Sequence, residues 1–185
     1  LDDSLPKYIN SPETPIFKKG NSLYALHLAK QEAFKHKNLL VAEGYMDVIA
    51  FHSYGFKYAV APLGTAITTN HLTNMWRICN EPTIALDGDQ AGQKAMIRIM
   101  NMALPMLQPG YSLRFISLPD GQDPDDILKQ PQGQQLMEEY LQNSAPLSSV
   151  FWQSEYDKLP LLTPEQRADF EKRMLQLVNK IYDET

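Results

Sequence analysis

The rhythm of apolar residues changes twice along this 185-residue chain, at about Asn38 and again after Asp126. Up to Gly20 the chain is rich in Pro, Asn, Ser and Lys, which predicts an extended or looped lead-in. Leu23, Leu26, Ala29 and Ala33 then fall at helical spacing, and Asn21 or Ser22 is the expected cap. From Asn38 short apolar runs alternate with helical patterns. Strands are expected at 39–41, 58–61, 83–86 and 113–118, and helices at 45–54, 69–78 and 91–107. Gly55, Pro62 with Gly64, and Pro109-Gly110 supply the breaks, and Thr68 or Thr69 caps the second helix. After Asp126 the strand signal disappears, and helices are expected at 132–142, 147–156 and 164–181. Thr163 caps the last of these, with Pro164 in its first turn. The pattern predicts an α/β fold, a mostly parallel sheet flanked by helices, followed by a small helical subdomain. It divides the chain into a lead-in with a linking helix (1–37), an α/β unit (38–128) and a helical tail (129–185).

Charge changes the picture in one respect. The formal net charge is −5, which argues against a generally basic coat for nucleic acid. Yet residues 1–37 carry six Lys against four acids, whereas 38–128 carry nine acids against five bases. A mildly basic segment precedes an acidic one. Cys79 is the single cysteine, so no internal disulfide forms, and no Cys/His set has zinc spacing. Its expected role is a small buried hydrophobe, which fits a reducing compartment. No apolar run is long enough to span a bilayer, and no signal peptide is visible. The chain opens on Leu1-Asp2-Asp3-Ser4 without an initiator Met, which reads as mid-protein sequence.

The candidate chemistry lies where the strands end. Ligands of open α/β sheets sit beyond the carboxyl ends of the strands. After the first strand comes Glu43-Gly44, after the third Asp87-Gly88-Asp89, and after the fourth Asp120-Gly121-Gln122-Asp123-Pro124-Asp125-Asp126. Asp47 follows Glu43 by one helical turn and faces the same way. A single Asp-Gly after a strand is an ordinary turn. Acids after three of four strands, on one edge, are a different matter. Carboxylates held close repel and raise one another's pKa, and a divalent cation removes that conflict.

Glu43-Gly44-Tyr45-Met46-Asp47, Asp87-Gly88-Asp89-Gln90-Ala91-Gly92 and Asp123-Pro124-Asp125 resemble the three acidic signatures of the TOPRIM domain, shared by primases, topoisomerases and some nucleases. Pro62-Leu63-Gly64-Thr65-Ala66, Leu118-Pro119-Asp120-Gly121-Gln122-Asp123-Pro124-Asp125 and the lead-in Pro6 to Thr14, continuing to Phe17 and Lys19-Gly20, resemble bacterial DnaG-type primases specifically. The likeness runs from about Leu5 to Leu128, and Ile67 stands where Leu is usual. It implies a TOPRIM-like sheet at 38–128 and the end of a polymerase subdomain within 1–37. It implies synthesis of short RNA primers on single-stranded DNA from ribonucleoside triphosphates. Glu43, Asp87 and Asp89 match the central catalytic, metal-associated acids, Asp123 and Asp125 the third motif, and Asp47 the acid of the first helix. The ion implied is Mg²⁺, or Mn²⁺, which suits the same oxygen ligands. Lys7, Asn10 and Lys19 match groove-facing positions expected to contact nucleotide phosphates or template. The family also carries a zinc-binding N-terminal domain and a C-terminal domain that binds the replicative helicase; neither lies in this sequence. A cytoplasmic, nucleoid-associated location follows from the same likeness.

Other residues have blander readings. His27, His36, His52 and His71 lack ligand spacing and are expected as surface or partly buried residues. Met75, Trp76 and Ile78 suit a core face, and Phe151 and Trp152 suit packing of the tail. Thr68 is expected as a helix cap. Lys94 and Arg98, a turn apart after Asp89, either reach phosphate or form a solvated face. A TOPRIM nuclease using the same acids, or a metal-binding scaffold whose helical tail docks a protein, are the alternatives.

Overall fold

The computed structural model describes residues 11–158 and 163–181. Six strands form one sheet: β1 (Leu23–Tyr24), β2 (Leu40–Val41), β3 (Ala59–Pro62), β4 (Thr83–Leu86), β5 (Arg114–Ser117) and β6 (Ala145–Pro146). Their spatial order is β1-β3-β2-β4-β5-β6. The four central strands are parallel, and β1 and β6 add antiparallel edges. The helices are α1 (Leu26–His36), α2 (Tyr45–Ser53), α3 (Thr69–Trp76), α4 (Gln90–Ala103), α5 (Pro124–Leu128), α6 (Gly133–Gln142), α7 (Leu147–Tyr156) and α8 (Pro164–Val178).

The parallel centre follows from composition. Leu39, Leu40, Val41, Val60, Ile84 and Phe115 are buried, as expected of strands covered on both faces. Val48 and Phe51 of α2, Leu72 and Met75 of α3, and Ile99 of α4 close the core over them. Trp76 is buried too, with its indole N–H donated to the Ser112 carbonyl at 2.9 Å. Cys79 is a buried free thiol, as expected.

Three elements depart from the sequence pattern. Leu23 and Tyr24 pair with Pro62 and Ala61 rather than starting a helix. Ala25 then takes a left-handed conformation, φ 60°, and α1 begins after it. The free edge of β3 offers these two residues a ladder, which overrides their helical spacing. Ala145–Pro146 forms an edge strand on β5 inside the supposedly all-helical tail. Proline is tolerated there because an outer strand leaves one row of N–H groups unused. The short α5 is absent from the sequence pattern, although Asp123 accepts from the Asp126 N–H at 2.8 Å and Pro124 opens the helix. That is the same cap-and-proline signature that correctly marks Thr163-Pro164. The sheet therefore draws strands from all three sequence segments, 1–37, 38–128 and 129–185.

The tail is pinned in two ways. Phe170 of α8 is buried against α7, with Trp152 edge-on at 4.8 Å between centroids. Glu155, also buried, pairs with Lys158 and with Arg173 Nη1, the latter at 3.3 Å. Phe151 is buried, whereas Trp152 is half-exposed. No described helix is long and apolar enough to cross a membrane.

Candidate metal centre

The carboxyl edge of the parallel strands is knitted together by backbone. The Gly88 N–H donates to the Gln122 carbonyl at 3.0 Å, and the Gly121 N–H to the Gly88 carbonyl at 2.9 Å. These bonds fasten the loop after β4 to the loop after β5. A Cβ on Gly88 would stand 1.9 Å from the Pro119 carbonyl oxygen, so only glycine permits the approach. Gly92 does the same for the first turn of α4, where a Cβ would lie 2.1 Å from the Asp87 carbonyl oxygen. Asp89 caps that helix, its Oδ1 accepting the Gly92 N–H at 2.7 Å.

The acids arrive from four elements. Glu43, exposed after β2, accepts the Asp87 N–H on Oε1 at 3.2 Å. Asp87 follows β4 and feels the charges of Glu43, Asp123, Asp89 and Asp126. Asp47, buried on the first turn of α2, accepts the Gly44 N–H on Oδ2 at 3.1 Å. α2 packs against α5, and so Asp47 feels Asp123 and Asp125 as well as Asp87. Asp125 itself is paired with Lys129.

Burial and repulsion leave two of these acids under electrostatic stress. Desolvation, opposed by the Gly44 N–H and reinforced by Asp87, Asp123 and Asp125, pushes Asp47 up to about 7. Desolvation and then Glu43, Asp123, Asp89 and Asp126 push Asp87 up to about 6. Moreover, Asp87 Oδ1 is buried without a hydrogen-bond partner. A buried carboxylate oxygen with no donor is a costly group. Its neighbours are all oxygen donors, a set that suits a hard divalent cation. The residues therefore fit such an ion chemically. They do not pre-form a complete cage: among the described residues no three His, Cys, Asp or Glu side chains stand together around one ion position. Asp89 and Asp123 each spend one oxygen on a helix cap, leaving the other.

A groove of about 880 Å³ opens beside Asp87 and Gly88, between α4 and α7. Asp87, Asp120 and Asp157 line it, together with Gln90, Gln93 and Gln153, and its lining holds no Lys or Arg. It does not suit a bare phosphate.

Of the basic and polar candidates, Lys7 and Asn10 lie outside the described residues. Lys19 sits in a 3-10 turn, Lys19–Asn21, with its backbone N–H donated to Glu13 at 3.0 Å. Lys94 and Arg98 are exposed on α4. Thr68 is the cap of α3, as expected. His71, expected as a surface or partly buried residue, is instead fully buried. Its capping-box spacing with Thr68, the imidazole in the place of the usual Glu, marks its bond to the helix start but not its burial.

Residues 37–117 match the Toprim domain family, and residues 1–30 match the N-terminal domain of the DNA primase catalytic core. A DNA primase from Rickettsia typhi is 42% identical over 183 residues, 99% of this chain and 31% of that protein. The chain thus spans about a third of the length of the curated relatives it matches. A solved DnaG catalytic core is 41% identical with a TM-score of 0.89, covering 99% of this chain and 59% of that one. A DnaG primase catalytic domain bound to single-stranded DNA is 41% identical with a TM-score of 0.88, covering 97% and 56%. Acid-bearing loops on one sheet edge, both family matches and identity along the whole chain agree: this chain belongs to the DnaG-type DNA primase family and corresponds to part of its catalytic core.

Proposed function

We propose that this chain supplies the metal-binding acids of a primase that builds short RNA primers on single-stranded DNA for replication. The observation that carries the reading is the orphaned Asp87 Oδ1 amid neighbouring carboxylates. Glu43, Asp87 and Asp89 are the central acids, with Asp123, Asp125 and Asp47 completing the set. Mg²⁺, or Mn²⁺, is the cofactor this donor set favours. Zinc would belong to a separate N-terminal domain, and contact with the replicative helicase to a C-terminal one. Residues 38–128 form the metal-binding unit, 1–37 end the polymerase subdomain, and 129–185 form the helical support. The work belongs in the bacterial cytoplasm, at the nucleoid.

In primer synthesis a ribonucleotide 3′-hydroxyl attacks the α-phosphate of an incoming triphosphate, and pyrophosphate leaves. When bound, a divalent cation neutralises charge on the transferring phosphate and lowers the pKa of the attacking hydroxyl. The chain's own acids hold that charge in place and do not touch phosphate, because bare carboxylates would repel it. Glu43 keeps one oxygen free after accepting the Asp87 N–H, so it can serve the ion or take a proton. Lys7, Asn10 and Lys19 bind nucleotide phosphates or template. Lysines on flexible stems act there as point charges. Binding to single strands should therefore be weak and salt-sensitive.

The same acids would serve a metal-dependent nuclease, but the match of residues 1–30 to a primase catalytic-core domain favours synthesis. The test is the full-length protein with labelled ribonucleoside triphosphates, a single-stranded template and Mg²⁺. Template-dependent RNA, lost on chelation and in Asp87→Ala, is expected. Cleaved template without RNA product would establish the nuclease instead.

A further inference from the structure

The turn that carries Lys19 is held by the first turns of α3. His71 Nδ1 lies 3.2 Å from the Thr68 N–H and accepts it. Nε2 is then the protonated nitrogen, and it lies 2.9 Å from the Lys19 carbonyl and 3.1 Å from the Ser22 carbonyl. Thr68 Oγ1 donates to the Gly20 carbonyl at 2.6 Å. Asn74 Nδ2 donates to the Asn21 carbonyl at 2.9 Å. The carbonyls of residues 19 to 22 are thus all bonded by side chains of Thr68, His71 and Asn74. The location matters as much as the bonds. Leu23 pairs antiparallel with Pro62, the last residue of β3, so the chain before Leu23 extends past the carboxyl end of the sheet. That is the edge on which Glu43 and Asp87 lie.

We propose that His71 is a positioning residue for Lys19: a fully buried neutral imidazole fixes the backbone that carries this cation beyond the carboxyl edge of the sheet. The inference rests on reading Lys19 as a phosphate or template contact. A lysine has a long stem and loses much side-chain entropy when it binds. Its reach is set by where its Cα is held, and here His71 and its two neighbours hold it. The imidazole does this with one acceptor and one donor in the single tautomer that satisfies both the Thr68 cap and the turn.

The test compares His71→Phe, His71→Gln, Lys19→Ala and the double variant His71→Phe with Lys19→Ala, each in the full-length protein. His71→Phe should raise the KM for nucleotide or the Kd for template about tenfold, the scale of one charged contact, with kcat little changed. It should also speed hydrogen exchange at the Asn21 and Ser22 amides. His71→Gln, whose amide can donate to the Lys19 carbonyl, should recover most of the affinity. The double variant should be no weaker than Lys19→Ala, because both act through one contact. Effects that multiply in the double variant overturn the proposal. So does a His71→Phe turn that exchanges faster while affinity stays normal. If Lys19→Ala alone leaves affinity and its salt dependence unchanged, the reading of Lys19 fails, and the inference with it. An impaired Lys19→Ala beside a normal His71→Phe sinks only the inference. Should His71→Phe fail to fold, Asn74→Ala, made at a partly exposed position, carries the same test with a smaller loss in the same direction; no loss there counts against the proposal.

Discussion

Glu43 Oε1 accepts the backbone N–H of Asp87 at 3.2 Å, tying the acid after β2 to the acid after β4 across 44 residues of sequence. The bond fixes where Glu43 sits while leaving its second oxygen free. It also holds one negative side chain beside another, a conflict that only a cation or a proton relieves.

That relationship separates charge from position. Glu43→Gln keeps an oxygen to accept the Asp87 N–H but loses the charge. Primer synthesis in the full-length protein should fall at least about a hundredfold, while the melting temperature should hold or rise slightly. Asp87→Ala should lose activity in the same way without unfolding. Primer yield assayed beside thermal melts checks both, and normal yield from either folded variant would remove it from the set.

The stressed carboxyls give metal-free stability a definite pH dependence. Asp47 and Asp87 have folded-state values of about 7 and about 6, above the ordinary aspartate value of 3.8. Between those limits the folded state binds more protons than the unfolded state. Stability is therefore greatest below about pH 4 as far as these two groups are concerned, and it is lost as pH rises through 6 to 7. With divalent ions chelated, melting should be lower at pH 8 than at pH 5.5, and Mg²⁺ should restore it at pH 8. Asp47→Asn should flatten the dependence and stabilise the chelated protein at pH 8 by about 1–2 kcal/mol, since an amide can still accept the Gly44 N–H. A melting temperature indifferent to pH and Mg²⁺ would contradict this.

Gly88→Ala should open the centre mechanically. The added methyl would need space already held by the Pro119 backbone, 1.9 Å away. Relieving it means parting the β4 and β5 loops and losing the bonds from Gly88 to Gln122 and from Gly121 to Gly88. The expected cost is about 1–3 kcal/mol in urea unfolding, with weaker Mg²⁺ binding by calorimetry. Unchanged stability would show that the loops move apart freely.

Glu155→Ala should loosen the tail without touching the metal centre. It strips a buried carboxylate from between Lys158 and Arg173 and leaves the largely covered guanidinium with Asp169 alone. A loss of about 1–3 kcal/mol is expected, reduced by the exposure of Lys158. Limited proteolysis between α7 and α8 should quicken while Mg²⁺ affinity stays the same. Protease resistance equal to that of the parent would place the hold on Phe170 instead.

The sequence by itself determined the alternation of strands and helices, because Leu39 to Val41, Tyr58 to Ala61 and Thr83 to Leu86 are apolar runs set between helical periods. It also placed Glu43, Asp87 and the acids from Asp120 to Asp126 after strands, since position along an α/β chain decides the edge on which a loop emerges. Only the tertiary structure decided the outer strands. Two residues at Leu23–Tyr24 or Ala145–Pro146 carry too little local preference to declare themselves, and it is the open edges of β3 and β5 that recruit them. Tertiary structure likewise decided which acids are stressed. Asp47 and Asp89 both stand as acids at a helix start, but only Asp47 is buried under α5 among other carboxylates. The burial of His71 belongs to the same class: its imidazole is enclosed because a turn some 50 residues earlier in the chain folds over it, a long-range contact that local spacing does not encode.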